Sequence, residues 1–170
     1  MPIYFYGCIT LDGYLATKDH NLDWLYTSGS IEETSYDKFY KNMDITIMGK
    51  HTFNAIKDLD NPGSIYSSTT NYVFTHQKDL NIEVFIPVEG NIIDFIHYQD
   101  KNKNIWIIGG NTILKPLIEA NFFDKMYIQI APVLLGDGIA LFTQKEQLFR
   151  YKLVEVNKYG QFAEIVYEKL

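Results

Sequence analysis

Hydrophobic and polar positions along the chain fall into short blocks of differing period. The first block, IYFYGCIT (3–10), is mostly apolar, as a central strand covered on both faces would be. Residues 11–30 are polar apart from LDWLY and predict a long loop. In IEETSYDKFYKNM (31–43), Tyr36, Phe39 and Met43 fall on one face, with Glu32 and Glu33 in the first turn, which predicts a helix. DITIMG (44–49) predicts a short buried strand, and HTFNAIKDL (51–59) a helix stopped by DNPG. Strands are predicted at NYVFTH (71–76) and IEVFIP (82–87), then a helix around NIIDFIHYQ (91–99). A strand NIWIIGG (104–110), a helix TILKPLIEANF (112–122) and a strand KMYIQIAPVLL (125–135) follow. The tail, 151–170, has two alternating runs around KYGQ and reads as a β-hairpin. Strands alternating with helices, then closing strands, imply an α/β layer fold, parallel first and antiparallel at the tail.

Composition narrows the class. A chain of 170 residues, 46% hydrophobic and 21% charged, suits one globular domain spanning 1–170 with a real core. The net charge of −6 argues against general nucleic-acid binding, which draws its affinity from clustered Lys and Arg. No apolar run approaches the ~20 residues that span a bilayer, and no membrane partner is expected. MPIYFYGCITLDG lacks the marks of a signal peptide, so a cytoplasmic location is expected. Cys8 is the single cysteine, and the histidines at 20, 51, 76 and 97 show no ligand spacing, so no metal is expected.

The candidate chemistry sits where strands run into helices. Gly109-Gly110 ends a strand and leads through Asn111 and Thr112 into a helix. Unpaired N–H groups and the positive dipole end attract phosphate there, and glycine permits close approach. MGKHTF (48–53) repeats the arrangement with Lys50, His51 and Thr52 around the turn. Each motif alone reads equally as a plain turn, but two such anion sites would suit a dinucleotide. Asp12-Gly13 reads as a turn. Glu32 and Glu33 read as helix-dipole residues, and Tyr6, Trp24, Phe39 and Trp106 as core or pocket wall.

Taken in order, ITLDGYLA, DITIMGKHTF, YVFTH and WIIGGNTILKPLIEANFFDKMYIQIAPVLLGDGIALF resemble the dihydrofolate reductase-like superfamily. The resemblance is to its single-domain branch, akin to the reductase domain of bacterial riboflavin-biosynthesis deaminase/reductases, and covers nearly the whole chain. It implies a three-layer α/β/α fold, with a mixed central sheet and an antiparallel C-terminal hairpin. It also implies NADPH as cofactor and a cis Gly109–Gly110 peptide beside the pyrophosphate. By the same resemblance Gly49, Lys50, His51 and Thr52 grip phosphates, with Lys50 near the 2′-phosphate beside Thr75 and His76. Ile108, Gly109, Gly110, Asn111, Thr112, Ile113 and Leu114 form the pyrophosphate-binding strand end and helix start. Cys8, Thr10, Leu11, Gly13 and Leu15 match the first strand and the loop over nicotinamide. The catalytic acid falls on Glu33, facing Gln129, with Asp23 and Asp37 as alternatives. The chain departs from the riboflavin-pathway pattern at Ile108, where a glutamate is usual, and at Tyr14, where a basic residue is usual.

The implied activity is NADPH-dependent hydride transfer to a C=N or C=O of a pteridine- or pyrimidine-like heterocycle. A ribosylaminouracil phosphate reductase of the riboflavin pathway, or a relative, is the form expected. The alternatives are true dihydrofolate reduction and NADPH binding without turnover. A small heterocyclic substrate and a homodimer are the expected partners.

Overall fold

A computed structural model describes residues 1–143 and 145–170. Its elements, in chain order, are β1 (Ile3–Thr10), β2 (Tyr14–Ala16), α1 (Asp23–Tyr26), a 3₁₀ turn (Ile31–Glu33) and α2 (Tyr36–Tyr40). Next come β3 (Ile45–Gly49), α3 (Lys50–Lys57), a second 3₁₀ turn (Pro62–Ser64), β4 (Thr70–Phe74), β5 (Phe85–Val88) and α4 (Ile92–His97). The chain closes with β6 (Ile105–Gly109), α5 (Asn111–Glu119), β7 (Lys125–Ala131), β8 (Ile139–Ala140), β9 (Tyr151–Tyr159) and β10 (Phe162–Lys169). One eight-stranded sheet has the order β5-β4-β3-β6-β1-β7-β10-β9, and β2 pairs with β8 in a separate ribbon. The strands from β5 to β7 are mutually parallel, while β10 runs antiparallel to both β7 and β9. The sheet is therefore mixed, with an antiparallel C-terminal hairpin.

Strand alternation sends side chains to two cores. On one face Ile3, Phe5, Ile47, Ile105 and Ile107 meet Ile96 of α4 and Leu114 and Leu117 of α5. On the other, Tyr6, Met48, Val73 and Trp106 meet Phe39 of α2 and Phe53 and Ile56 of α3. Helices on both faces make the three layers. Burying a Leu or Phe side chain stabilises by about 1.5–3 kcal/mol, so both faces hold their helices by packing rather than by helix propensity. Asn121 takes the left-handed conformation (φ 52°) just after α5 and turns the chain into β7.

Several element bounds differ from the sequence reading. The helix predicted over 31–43 is broken. Thr34 is extended (φ −108°, ψ −179°), and its hydroxyl donates to the Ile31 carbonyl and accepts from the Tyr36 N–H. That local side-chain bonding competes with helical pairing, leaving a 3₁₀ turn and a separate α2. β7 stops at Ala131 rather than 135, because the Leu11 N–H bonds to Val133 O and the following residues wrap the Asp12 carboxylate. β5 starts at Phe85 rather than 82, after a turn at Asn81 (φ 56°). No helix among the described residues is long and apolar enough to cross a membrane.

Candidate active site

In an open parallel sheet, ligands bind outside the carboxyl ends of the strands. Here β3 and β6 are neighbours, so the turns at Gly49 and at Gly109-Gly110 emerge side by side, each opening a helix. A Cβ built on Gly49 would lie 3.6 Å from the Gly110 nitrogen and 3.2 Å from Ile113 Cγ1. The Gly109–Gly110 peptide is cis. The Ile113 and Leu114 N–H groups both bond to Gly110 O, which leaves those of Asn111 and Thr112 at the open end of α5. Asn111 Oδ1 is buried there without a protein partner. The Asn111 and Thr112 N–H groups are thus the donors this turn leaves for an anion; Asn111 Oδ1 can only accept and is no phosphate ligand. Ile113 and Leu114 themselves point into the core, at 5% and 1% exposure. Their sequence assignment to the cofactor therefore translates into packing under the turn rather than side-chain contact.

Lys50 Nζ bonds to Gln77 Oε1, bringing the first turn of α3 to the segment that carries Thr75 and His76. The His76 ring is exposed and lies 3.9 Å from Glu89, which also accepts from Lys78. His51 is exposed, and its ring stacks on His20 with centroids 4.6 Å apart. That stack brings the loop after β2 to the start of α3.

The loop predicted from the first strand is stapled from beneath. Asp12 accepts from the Thr10 hydroxyl at 2.6 Å and from the Gly136 N–H at 2.7 Å, and Leu135 N–H adds a bond at 3.1 Å. Thr10 is fully buried and its hydroxyl also accepts from the Tyr14 N–H, so it holds the turn and is not exposed to ligand. Leu11 is exposed, Gly13 takes φ +92° in open space, and Leu15 packs on the core. The Thr10 hydroxyl, then the Gly136 N–H, hold the Asp12 carboxyl below its ordinary pKa. A depressed carboxylate pKa contributes stability above the unfolded value that is lost as pH falls through the folded one. Asp12→Ala is accordingly expected to destabilise the protein at neutral pH. The gap from the parent should close in acid, below the ordinary Asp value of about 3.9. Unfolding curves of both proteins against pH check this; a gap that persists unchanged in strong acid would remove the role given to the carboxylate.

Beside the glycine turns lies a cleft of about 700 Å³. Ile108, the residue before the glycine pair, lines it. Its walls come from β1 (Tyr6, Cys8), β6 (Trp106), α2 (Tyr36) and the segment after the second 3₁₀ turn (Tyr66). These rings brace one another edge-on, with Tyr66 and Trp106 centroids 5.6 Å apart and Tyr36 and Trp106 5.9 Å apart. Burial pushes the Cys8 thiol and the Tyr6 hydroxyl each up to about 12. Both stay protonated near neutrality, so Cys8 is wall rather than nucleophile.

Gln129 lines the cleft; Glu33 does not, nor do Asp23 and Asp37. Glu33 is exposed, and its carboxylate lies against Gly29 and Gly160, on the hairpin side. The break at Thr34 redirects it. The acid next to Gln129 is instead Glu164, 1% exposed. It accepts from Gln129 Nε2 and Ser35 Oγ, and from Asn157 Nδ2 at 3.5 Å. Sequence reasoning missed it. The available signal was a glutamate at an inward position of an alternating strand, between Phe162 and Val166.

Residues 95–163 match the profile of the RibD C-terminal domain family. YwjB of Bacillus subtilis (strain 168) is 30% identical over 165 residues, covering 95% of this chain and 94% of its own. The chain belongs to the RibD C-terminal domain family. This family's fold is dihydrofolate reductase-like, and its role is that of a reductase domain. YyaP of the same organism is 25% identical, covering 94% of this chain and 90% of its own. A riboflavin biosynthesis protein from Shewanella sp. PV-4 superposes with a TM-score of 0.86 at 23% identity, over 100% of this chain and 99% of its own. RibD of Acinetobacter baumannii gives 0.73 at 18% identity; this chain spans 58% of its length. Dihydrofolate reductase from Enterococcus faecalis, solved with NADP(H), gives 0.68 at 16%, covering 99% of this chain and 96% of its own. These three likenesses concern the fold.

Proposed function

We propose that the protein is an NADPH-dependent reductase of a C=N or C=O bond in a pteridine- or pyrimidine-like heterocycle. The observation that carries this reading is that two glycine-led helix starts lie side by side, and that the strand ending in one of them, β6, also supplies Trp106 and Ile108 to an aromatic cleft. The Asn111 and Thr112 N–H groups, with Gly49 and Gly110, suit a pyrophosphate, and Lys50 suits a 2′-phosphate beside Thr75 and His76. NADPH, when bound, supplies the hydride. Tyr6, Tyr36, Tyr66 and Trp106 hold the acceptor ring flat and exclude water. Gln129 orients that ring by hydrogen bonding and, as a neutral amide, supplies no proton. No Asp or Glu is among the described residues that line the cleft, so the proton that completes the reduction would come from solvent, directly or relayed through a hydroxyl of the wall.

The test is binding and turnover together. NADPH should raise the melting temperature by mass action, and NADH much less. Lys50→Ala should reduce the difference between them, because it removes a charge directed at the 2′-phosphate. Equal shifts for both nucleotides in the parent, or none, would discard the cofactor assignment. Oxidation of NADPH with a dihydropterin or an aminopyrimidine acceptor distinguishes a reductase from a protein that only binds the nucleotide.

A further inference from the structure

Resting on the reductase reading, we infer that the cleft takes a flat, uncharged ring that carries no phosphate and offers an N–H or amino donor to Gln129. None of the residues lining the cleft is Lys, Arg, His, Asp or Glu. The helices at its cover, α1 and α2, are four and five residues long, too short to offer a developed dipole. Charges around the cover are mainly acidic: Asp23, Glu32, Glu33 and Asp37, against Lys38 and Lys41. A phosphate placed among Tyr6, Tyr36, Tyr66 and Trp106 would meet hydroxyls and the unpartnered Trp106 Nε1–H but no cation, and a buried charge without a counter-ion is heavily disfavoured. The same walls suit a planar ring, which can stack on one aromatic face and meet the edge of another.

The donor preference follows from Glu164. The amide nitrogen of Gln129 donates to Glu164 Oε2, which also accepts from the Ser35 hydroxyl. The amide oxygen is then the one left for the cleft, and no described residue donates to it. Gln129 is 2% exposed and braced by a buried acid, so its amide is held rather than free to flip. The subsite is an acceptor of fixed direction. It recognises a ring N–H or exocyclic amine and disfavours a ring presenting only carbonyl oxygens there.

The experiment compares one ring with and without phosphate. Binding of 6-methyl-7,8-dihydropterin and of 6-hydroxymethyl-7,8-dihydropterin monophosphate is measured by tryptophan fluorescence quenching, with NADPH oxidation followed in parallel. The neutral probe should bind at least about tenfold more tightly, the least effect expected when a buried charge goes unpaired. Ile31→Arg puts a guanidinium at the cleft from a position 58% exposed, so folding is little disturbed. It should narrow or reverse the preference. Gln129→Leu should weaken the neutral probe in a variant that still shows the parent's NADPH-induced stabilisation. Equal or tighter binding of the phosphate ester to the parent, or no binding of either probe, overturns the inference. Neutral binding without NADPH oxidation supports it while overturning the reductase reading, and turnover of the phosphate ester alone does the reverse.

Discussion

Gly110→Ala should fold like the parent and lose NADPH affinity by about tenfold or more, the value of one charge-assisted hydrogen bond to phosphate. A Cβ at Gly110 meets only Thr52 Oγ1, at 3.7 Å, so the folded protein has room for it. That room is the space above the two helix starts, where the backbone must approach a phosphate closely. Gly109→Ala should behave in the opposite way. Gly109 has φ +117°, and its Cβ would meet Leu114 Cδ1 at 3.2 Å. Backbone conformations of this kind cost side-chain-bearing residues about 1–3 kcal/mol, so this variant should melt earlier. Paired thermal scans with and without NADPH separate the two effects. An unchanged nucleotide shift in Gly110→Ala would remove the phosphate from this turn.

Glu164→Leu is expected to cost about 2–4 kcal/mol of stability, because it leaves the buried Gln129 amide and the Ser35 hydroxyl without their acceptor. Denaturant titration at constant m-value measures it. Glu164→Gln keeps the volume and one acceptor oxygen, so its stability loss should be smaller, about 1–2 kcal/mol. It would still release the Gln129 amide from its fixed direction and weaken ring binding more than NADPH binding. Parent-like stability in Glu164→Leu would mean that the carboxylate does not hold this network together.

What a single strand or helix does is written in neighbouring residues. Near-continuous apolar runs identified β1, β3 and β6, and glycines at two strand ends marked the turns that β3 and β6 bring side by side. Motif order along the chain was enough to indicate the fold and the reductase family. Other features depend on partners far apart in sequence. Asp12 reads locally as half of an ordinary turn, yet its carboxylate bonds to Gly136 N–H, 124 residues away. Ser35 and Glu164 lie 129 residues apart, and only the packing of α2 against the sheet brings their side chains together. The 31–43 segment has helical periodicity, but the Thr34 hydroxyl competes for its backbone and turns Glu33 out of the cleft. Periodicity reports which face a residue takes, and spacing reports what neighbours along the chain can share. Which acid stands behind Gln129, and that no charge lines the cleft, is decided by distant strands and loops meeting. Those contacts form only when the core closes.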